Sequence, residues 1–230
     1  MSSHQPEMHD HAAPPRRPVT PLLVGIAVAA MTVFIALTVI VTSNSSLAVD
    51  SRAFKFADQL RAPWLDQAAR LLTTLGLIAV IGPMLLVGAA LLIRHRHRAR
   101  AAALLAGGAL TWIGVWITKV AVDRPRPQAP LVDTSGQSYP SAHAANAIGW
   151  LALAIALTVT IPSRRGRTIA IACGALLTVL VGLSRIYLGA HYASDVLGGE
   201  ALAVAIYALV AIGALAHQRR DWRSDASSYG

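Results

Sequence analysis

Charge is scarce in this sequence. Only 13% of its 230 residues are Asp, Glu, Lys or Arg, while 55% are hydrophobic and the mean hydropathy is +0.53. About a quarter of an ordinary soluble domain is charged, because water must wet its surface. This chain has too little charge for that, so lipid is its expected solvent. Cysteine is nearly absent. The single Cys173 excludes an intrachain disulfide, and its apolar surroundings predict a small buried packing residue. Also missing are a cysteine cluster, a paired-acid cage and a His-x-x-x-His pair, so no metal site and no cofactor is expected. The net charge of +9 and the pI near 10.8 raise the question of nucleic acid. The basic residues form short clusters beside apolar runs rather than a stripe on a soluble fold, and nucleic-acid binding is set aside.

What is abundant is apolar length. A bilayer takes about 20 apolar residues per helix, and six candidate spans run over roughly 21–43, 74–93, 101–119, 144–162, 168–185 and 196–216. The expected fold is all-α, a polytopic bundle of six transmembrane helices over 19–217. Residues 1–18 form a polar, disordered tail and 218–230 a second tail. His4, His9 and His11 belong to the first tail and read as tail rather than metal ligands. Ser46-Leu47-Ala48 resembles a signal cleavage site, but the apolar run before it is longer than a secretory core, which favours a retained helix.

Arg16 and Arg17, then Arg94, Arg96, Arg98 and Arg100, then Arg164, Arg165 and Arg167, then Arg219, Arg220 and Arg223 all fall on one side of a six-span layout. The positive-inside rule makes that side cytoplasmic, both termini included. Between the first two spans, Leu60, Trp64, Leu65, Ala68, Leu71 and Leu72 recur at helical spacing, with Pro63 as a break. They predict a helix lying on the outer surface.

Three short polar segments fall on that same outer side: Lys119 with Asp123-Arg124-Pro125-Arg126-Pro127, Tyr139-Pro140-Ser141-Ala142-His143, and Ser184-Arg185 through His191 to Asp195. The 48 positions between His143 and His191 allow one helix inward and one back. Lys119, Arg124, Arg126 and Arg185 can be read as snorkelling to headgroups. They stand, however, on the face where positive charge is disfavoured, and a bound anion explains them better.

Phosphoryl transfer needs mainly positioned positive charge, which arginine supplies as a fork and lysine as a point. Ser141 offers a hydroxyl, and the amides of Ala142 and His143 open a helix. His191 and Asp195 are four apart, so a carboxylate can fix the imidazole tautomer and leave the other nitrogen as nucleophile. His143 is then the general acid.

The order Lys-x6-Arg-Pro (Lys119 to Pro127), Pro-Ser-x-His (Pro140 to His143) and Ser-Arg-x5-His-x3-Asp (Ser184 to Asp195) resembles the three-part signature of type-2 phosphatidic acid phosphatases. The resemblance implies an integral membrane phosphatase with a haloperoxidase-like helical core. It casts His191, which forms a phosphohistidine, with Asp195 and His143 as catalytic residues. Lys119, Arg126, Ser141, Ala142 and Arg185 would hold the phosphate. The family usually has glycine where this chain has Ala142, a change that is harmless if φ there is negative.

The implied partner is a lipid phosphate reached laterally from the membrane. A prenyl diphosphate is slightly preferred over phosphatidic acid and phosphatidylglycerol phosphate. The alternative is a non-catalytic protein that binds or moves an anionic lipid with the same cations; the vanadate-dependent haloperoxidases, being soluble, are remote. Trp112 and Trp116 read as an interfacial belt or packing. Glu200 is expected either to face the pocket or to sit hydrated near the interface, and Gly198 and Gly199 to allow close helix packing. Oligomeric state is not legible.

Overall fold

The computed structural model describes residues 19–43 and 47–228, with side chains as far as residue 217. The expectations for the first tail, its three histidines, Arg16, Arg17 and Ser46 lie outside the described residues. So do the side chains of Arg219, Arg220 and Arg223. Among the described residues there is no strand. The helices are α1 (Val19–Thr42), α2 (Ala48–Gln59), α3 (Pro63–Thr74), α4 (Ile78–Arg94), α5 (Arg98–Val122), α6 (Ala142–Leu157, extended by a 3₁₀ turn Thr158–Thr160), α7 (Arg164–Tyr187) and α8 (Ala193–Ser228).

Helices α1, α5, α6 with its 3₁₀ turn, α7 and α8 as far as His217 are each long and apolar enough to cross a membrane. The count reaches six when the bent pair α3 with α4, turning by 49°, is taken as one, α4 being its apolar arm and α3 its amphipathic one. Here the structure departs from expectation. The apolar run near residue 74 does not begin a straight helix but passes through a break at Leu75–Leu77. Unpaired carbonyls in lipid cost several kcal/mol each, and α6 meets that need. Trp150 Nε1 donates to the Leu75 carbonyl at 2.9 Å, and Asn146 Nδ2 to that of Gly76 at 3.2 Å. A Cβ on Gly76 would stand 2.8 Å from the His143 carbonyl oxygen, so glycine lets the break lie directly against α6. Pro63 also differs from its expected role. It starts α3 at the first helical position, where its missing N–H is no loss.

Lipid gives helices little hydrophobic reason to associate, so small residues and close fit hold the bundle. Gly107 of α5 faces the Tyr207 ring of α8. Ile81, Leu85, Ala89 and Leu92 of α4 pack on Ala101 and Leu104 of α5. A second cluster joins Val115 of α5, Ala145 and Ile148 of α6, and Leu202 and Ala203 of α8. Gly198 and Gly199 serve the close approach expected of them: a Cβ on either would meet the Tyr139 ring or the Ser141 carbonyl within 2.6 Å. Large apolar side chains such as Val28, Leu86, Trp112, Trp116 and Leu183 face outward, where lipid suits them. Cys173 is exposed, contrary to the buried reading. Its neighbour Gly174 takes the face against α6, and one residue further round a helix the surroundings are lipid, no less apolar than a core.

Beside these spans, α2 and α3 dock on the end of α7 through Ala57, Ala69, Tyr187 and Leu188. Tyr187 donates to Asp66 at 2.6 Å. Phe56, Leu60, Trp64 and Leu71 remain exposed on these two helices, in keeping with an interfacial position.

Candidate active site

Helix ends bring the three polar segments together. Helix α5 stops at Asp123, whose φ of 48° is left-handed and whose amide returns to the Lys119 carbonyl. Aspartate tolerates that conformation, and Pro125 and Pro127 prevent the helix from resuming. The connection then reaches Ser141, which caps α6 by accepting the Ala144 amide. Helix α7 ends in a Schellman turn: Gly189 takes φ +65°, its amide bonds the Ile186 carbonyl, and the Ala190 amide bonds that of Arg185. His191 follows at once, and α8 begins two residues later. The Ser141 amide donates to the Asp195 carbonyl at 2.9 Å, stitching the starts of α6 and α8 together.

His191 is 1% exposed and Asp195 fully buried. The His191 Nδ1 lies 3.4 Å from Asp195 Oδ2 and 3.4 Å from Ser138 Oγ. Its Nε2 faces the other way, 3.2 Å from Arg126 Nη1. Burial pulls the imidazole down to about 4; Asp195 opposes that shift, while Arg185 and Arg126 add to it. The ring is therefore neutral at pH 7, with the Nδ1 proton toward Asp195 and the Nε2 lone pair turned to Arg126, from which it accepts. Asp195 is held from four sides. Its Oδ2 also accepts from Ser138 Oγ and from the Tyr192 amide at 3.0 Å, half of a capping box, and its Oδ1 accepts from Arg124 at 2.5 Å.

The cations divide into two kinds. Arg124 bonds both Asp195 and, at 3.0 Å, Asp50 of α2. Burial works against its charge, but the two carboxylates prevail and raise its pKa. Lys119, Arg126 and Arg185 have no carboxylate partner among the described residues. Lys119 Nζ bonds the carbonyls of Gln137 at 2.5 Å and Ser138 at 3.5 Å. Arg126 is braced against the carbonyls of Ser135, Gly136 and Ala190 at 2.8–2.9 Å. Arg185 is 4% exposed and donates Nη1 to Thr73, while its Nε is buried without a partner. An orphaned buried guanidinium nitrogen is costly unless something arrives to accept from it.

Ala142 lies in the first turn of α6 and is not among the positive-φ residues other than glycine, which are Arg96, Asp123 and Ala129. Its methyl packs against the α5–α6–α8 cluster, so alanine suits the backbone here. The amides of Ala142 and His143 make no hydrogen bond among the described residues. Ser141 is fully buried and His143 half-buried. Glu200 is half-buried beside Gly182 of α7 and makes no hydrogen bond or ion pair among the described residues, His191 included.

Sequence reasoning missed Asp50, Ser138 and the special position of Arg124. Asp50 sits 144 positions from Ser194, whose amide it accepts, and no local pattern announces such a pairing. An apolar cavity of about 580 Å³ lies among α4, α5 and α6, lined by Ile78, Leu86, Leu105, Trp112, Asn146 and Tyr207. Trp112 thus borders this cavity as well as facing lipid, whereas Trp116 faces outward only.

A six-span helical bundle with unpaired cations gathered at one end around a neutral histidine defines a membrane enzyme built to handle an anion. The chain belongs to the PAP2 superfamily, whose pattern residues 100–219 match, and it is a phosphatase. It is 32% identical to phosphatidylglycerophosphatase B of Bacillus subtilis strain 168 over 182 residues, which is 77% of this chain and 89% of that protein. Its fold is similar to the crystal structure of a transmembrane PAP2-type phosphatidylglycerolphosphate phosphatase from Bacillus subtilis. The TM-score is 0.71 at 28% identity, over 79% of this chain and 93% of that one. Aquifex aeolicus LpxE shares the fold, with a TM-score of 0.57 at 23% identity over 72% of this chain and 96% of that one.

Proposed function

We propose that this membrane phosphatase removes phosphate from a lipid ester through a phosphohistidine on His191. The observation that carries the reading is the set of three cations without a carboxylate partner among the described residues, Lys119, Arg126 and Arg185, around a buried neutral imidazole. The unpartnered Arg185 Nε and the unbonded amides of Ala142 and His143 complete a cradle for phosphoryl oxygens, with Ser141 beside them.

The Nε2 lone pair of His191 attacks phosphorus, and the N–P bond forms as the ester P–O bond breaks. His143 gives its proton to the departing oxygen. Water then attacks phosphorus and passes a proton to His143, and the P–N electron pair returns to Nε2, leaving inorganic phosphate. Asp195 holds the Nδ1 proton throughout and offsets the positive charge on the ring. A protein that only bound the lipid would need neither the His191–Asp195 pair nor His143, and the negative φ of Ala142 takes away the chief argument for such a binder.

The lipid class is supported by the cavity beside Asn146, three residues after His143, which offers room for an apolar chain. Among lipids, the similarity to phosphatidylglycerophosphatase B moves phosphatidylglycerol phosphate ahead of the prenyl diphosphate favoured by sequence alone. The phosphatase domain is assigned to 19–217, where the apolar stretch of α8 ends, although the helix itself runs on to Ser228. The site lies at the opposite helix ends from Arg94–Arg100 and Arg164–Arg167, which supports cytoplasmic termini and an extracytoplasmic site.

The test is phosphate release by detergent-purified protein from a panel of lipid phosphates and diphosphates in chelator, beside His191→Ala. Turnover of phosphatidylglycerol phosphate, resistant to chelator and lost in the variant, is expected. No release from any lipid, with both proteins alike, would overturn the reading.

A further inference from the structure

We propose that Asp50, on the amphipathic helix α2 and outside every motif above, is a positioning residue for the reaction. It acts through Arg124 on Asp195 and so on the nucleophile, and the inference rests on the histidine mechanism just proposed.

Asp50 is 6% exposed and its carboxylate is saturated by partners far along the chain. It accepts from the Ser194 amide and the Ser194 hydroxyl, both at 2.8 Å, and from Arg124 Nη2 at 3.0 Å. It does not cap its own helix, whose N-cap Leu47 carries no side-chain bond. Instead it lies at the N-terminus of α8, where a negative charge meets the free amides of another helix. Four residues on, Phe54 stands on the same face of α2, its ring 5.6 Å from that of Tyr192. Arg124 lies over the Tyr192 ring at 4.0 Å. One face of α2 therefore grips the turn that carries His191 at two points.

The geometry of the guanidinium makes this grip relevant to chemistry. The fork is planar and rigid. Nη2 is held by Asp50 while Nη1 meets Asp195 and Ser194, so the anchor on one side fixes where the other side touches Asp195. Charge gives a second reason. Were Arg124 bonded to Asp195 alone, it would neutralise the carboxylate that must answer the positive charge arriving on His191 as the N–P bond forms. Sharing Arg124 between two carboxylates leaves the group one negative charge in excess, directed at the imidazole. Asp50 thereby keeps Asp195 an effective anion while Arg124 keeps it in place.

The experiment uses the full chain in detergent. Asp50→Asn preserves an acceptor for the Ser194 amide but puts an NH2 donor where Oδ2 accepted from Arg124 and the Ser194 hydroxyl, so the charge and the Arg124 contact are lost together. Arg124→Lys keeps a cation but cannot fork between two acids, and it serves where the first variant does not fold. For each, kcat and KM on a lipid phosphate are measured together with ¹⁵N spectra of the histidine rings, His191 being assigned by His191→Gln. The expected result is a kcat about tenfold lower or more with KM within about twofold, and a loss of the single Nδ1–H tautomer of His191. In the Arg124→Lys background, Asp50→Asn should add less than about twofold.

Wild-type kcat and an unchanged tautomer in Asp50→Asn, even with a lower melting temperature, would leave Asp50 as an anchor for α2 and overturn the proposal. Absence of lipid turnover in the wild type would refute the phosphatase mechanism instead, and the tautomer would still decide the role of Asp50.

Discussion

Gly76 offers a sharp way to ask whether the break in the second span serves the site. Replacing it with alanine adds a Cβ 2.8 Å from the His143 carbonyl oxygen, 2.9 Å from the His143 Cβ and 2.8 Å from a Val181 methyl. Ordinary van der Waals contact begins near 3.4 Å, so something must retreat by about 0.6 Å. Val181 can turn a methyl, but the backbone at His143 is held by the first turn of α6 and cannot move alone. Overpacking of this size costs about 1–3 kcal/mol, roughly 2–12 °C in melting temperature for a chain of this length. Activity should suffer out of proportion. A displacement near 1 Å in a reacting geometry costs about a hundredfold, so a shift of about 0.6 Å at the proposed acid should lower kcat about tenfold. The assay pairs a thermal melt in detergent with phosphate release, using Gly25→Ala as control because a Cβ there meets nothing within 4 Å. Gly76→Ala with kcat within twofold of wild type would refute the coupling between the break and His143, whatever its melting temperature.

Two further outcomes follow from the site. The His191 imidazole, lowered from 6.5 to about 4, stays neutral above that pH, so the proposed nucleophile is lost only as the pH falls through it. At pH 5 roughly nine-tenths should remain neutral, against about 3% for an unperturbed ring; a ¹⁵N titration of the ligand-free protein with its midpoint at 6 or above would contradict the burial argument. The same shift stabilises the fold above about pH 6.5, and that contribution should fade as the pH drops toward 4. Arg185→Lys retains charge but loses the fork that bonds Thr73 while presenting Nε, so kcat/KM should fall about a hundredfold. A loss under threefold would show that a point charge suffices there.

The bundle was legible because apolar runs of membrane length need no tertiary information. Its exceptions have specific causes. Nothing in the run from residue 74 shows that the chain turns by 49° at Leu75–Leu77. The carbonyls freed there are met by Trp150 and Asn146, some 70 positions away. Pro63 looked like an interruption because proline forbids a helical interior, yet the first turn is where it fits best. In the site, spacing alone placed His191 beside Asp195, since the turn that carries His191 leads straight into the first turn of α8, where Asp195 lies. It grouped Arg124 with Lys119, Arg126 and Arg185, because a sequence counts charges without saying which are already neutralised. Only the landing of α2 separates them, and that depends on Asp50 finding Ser194 across 144 positions.

Arg126 has a consequence for what the proposed site does with its product. Its guanidinium is braced by three carbonyls before any anion arrives, two from its own connection and one from the turn that precedes His191. Freezing an arginine side chain ordinarily costs up to about 2 kcal/mol, and here folding has already done so. A receptor set in advance for a tetrahedral anion does not distinguish strongly between phosphate still esterified and phosphate just freed. On the proposed reading the enzyme meets its substrate with little rearrangement and holds inorganic phosphate through the same contacts, so free phosphate should compete with the lipid for the site.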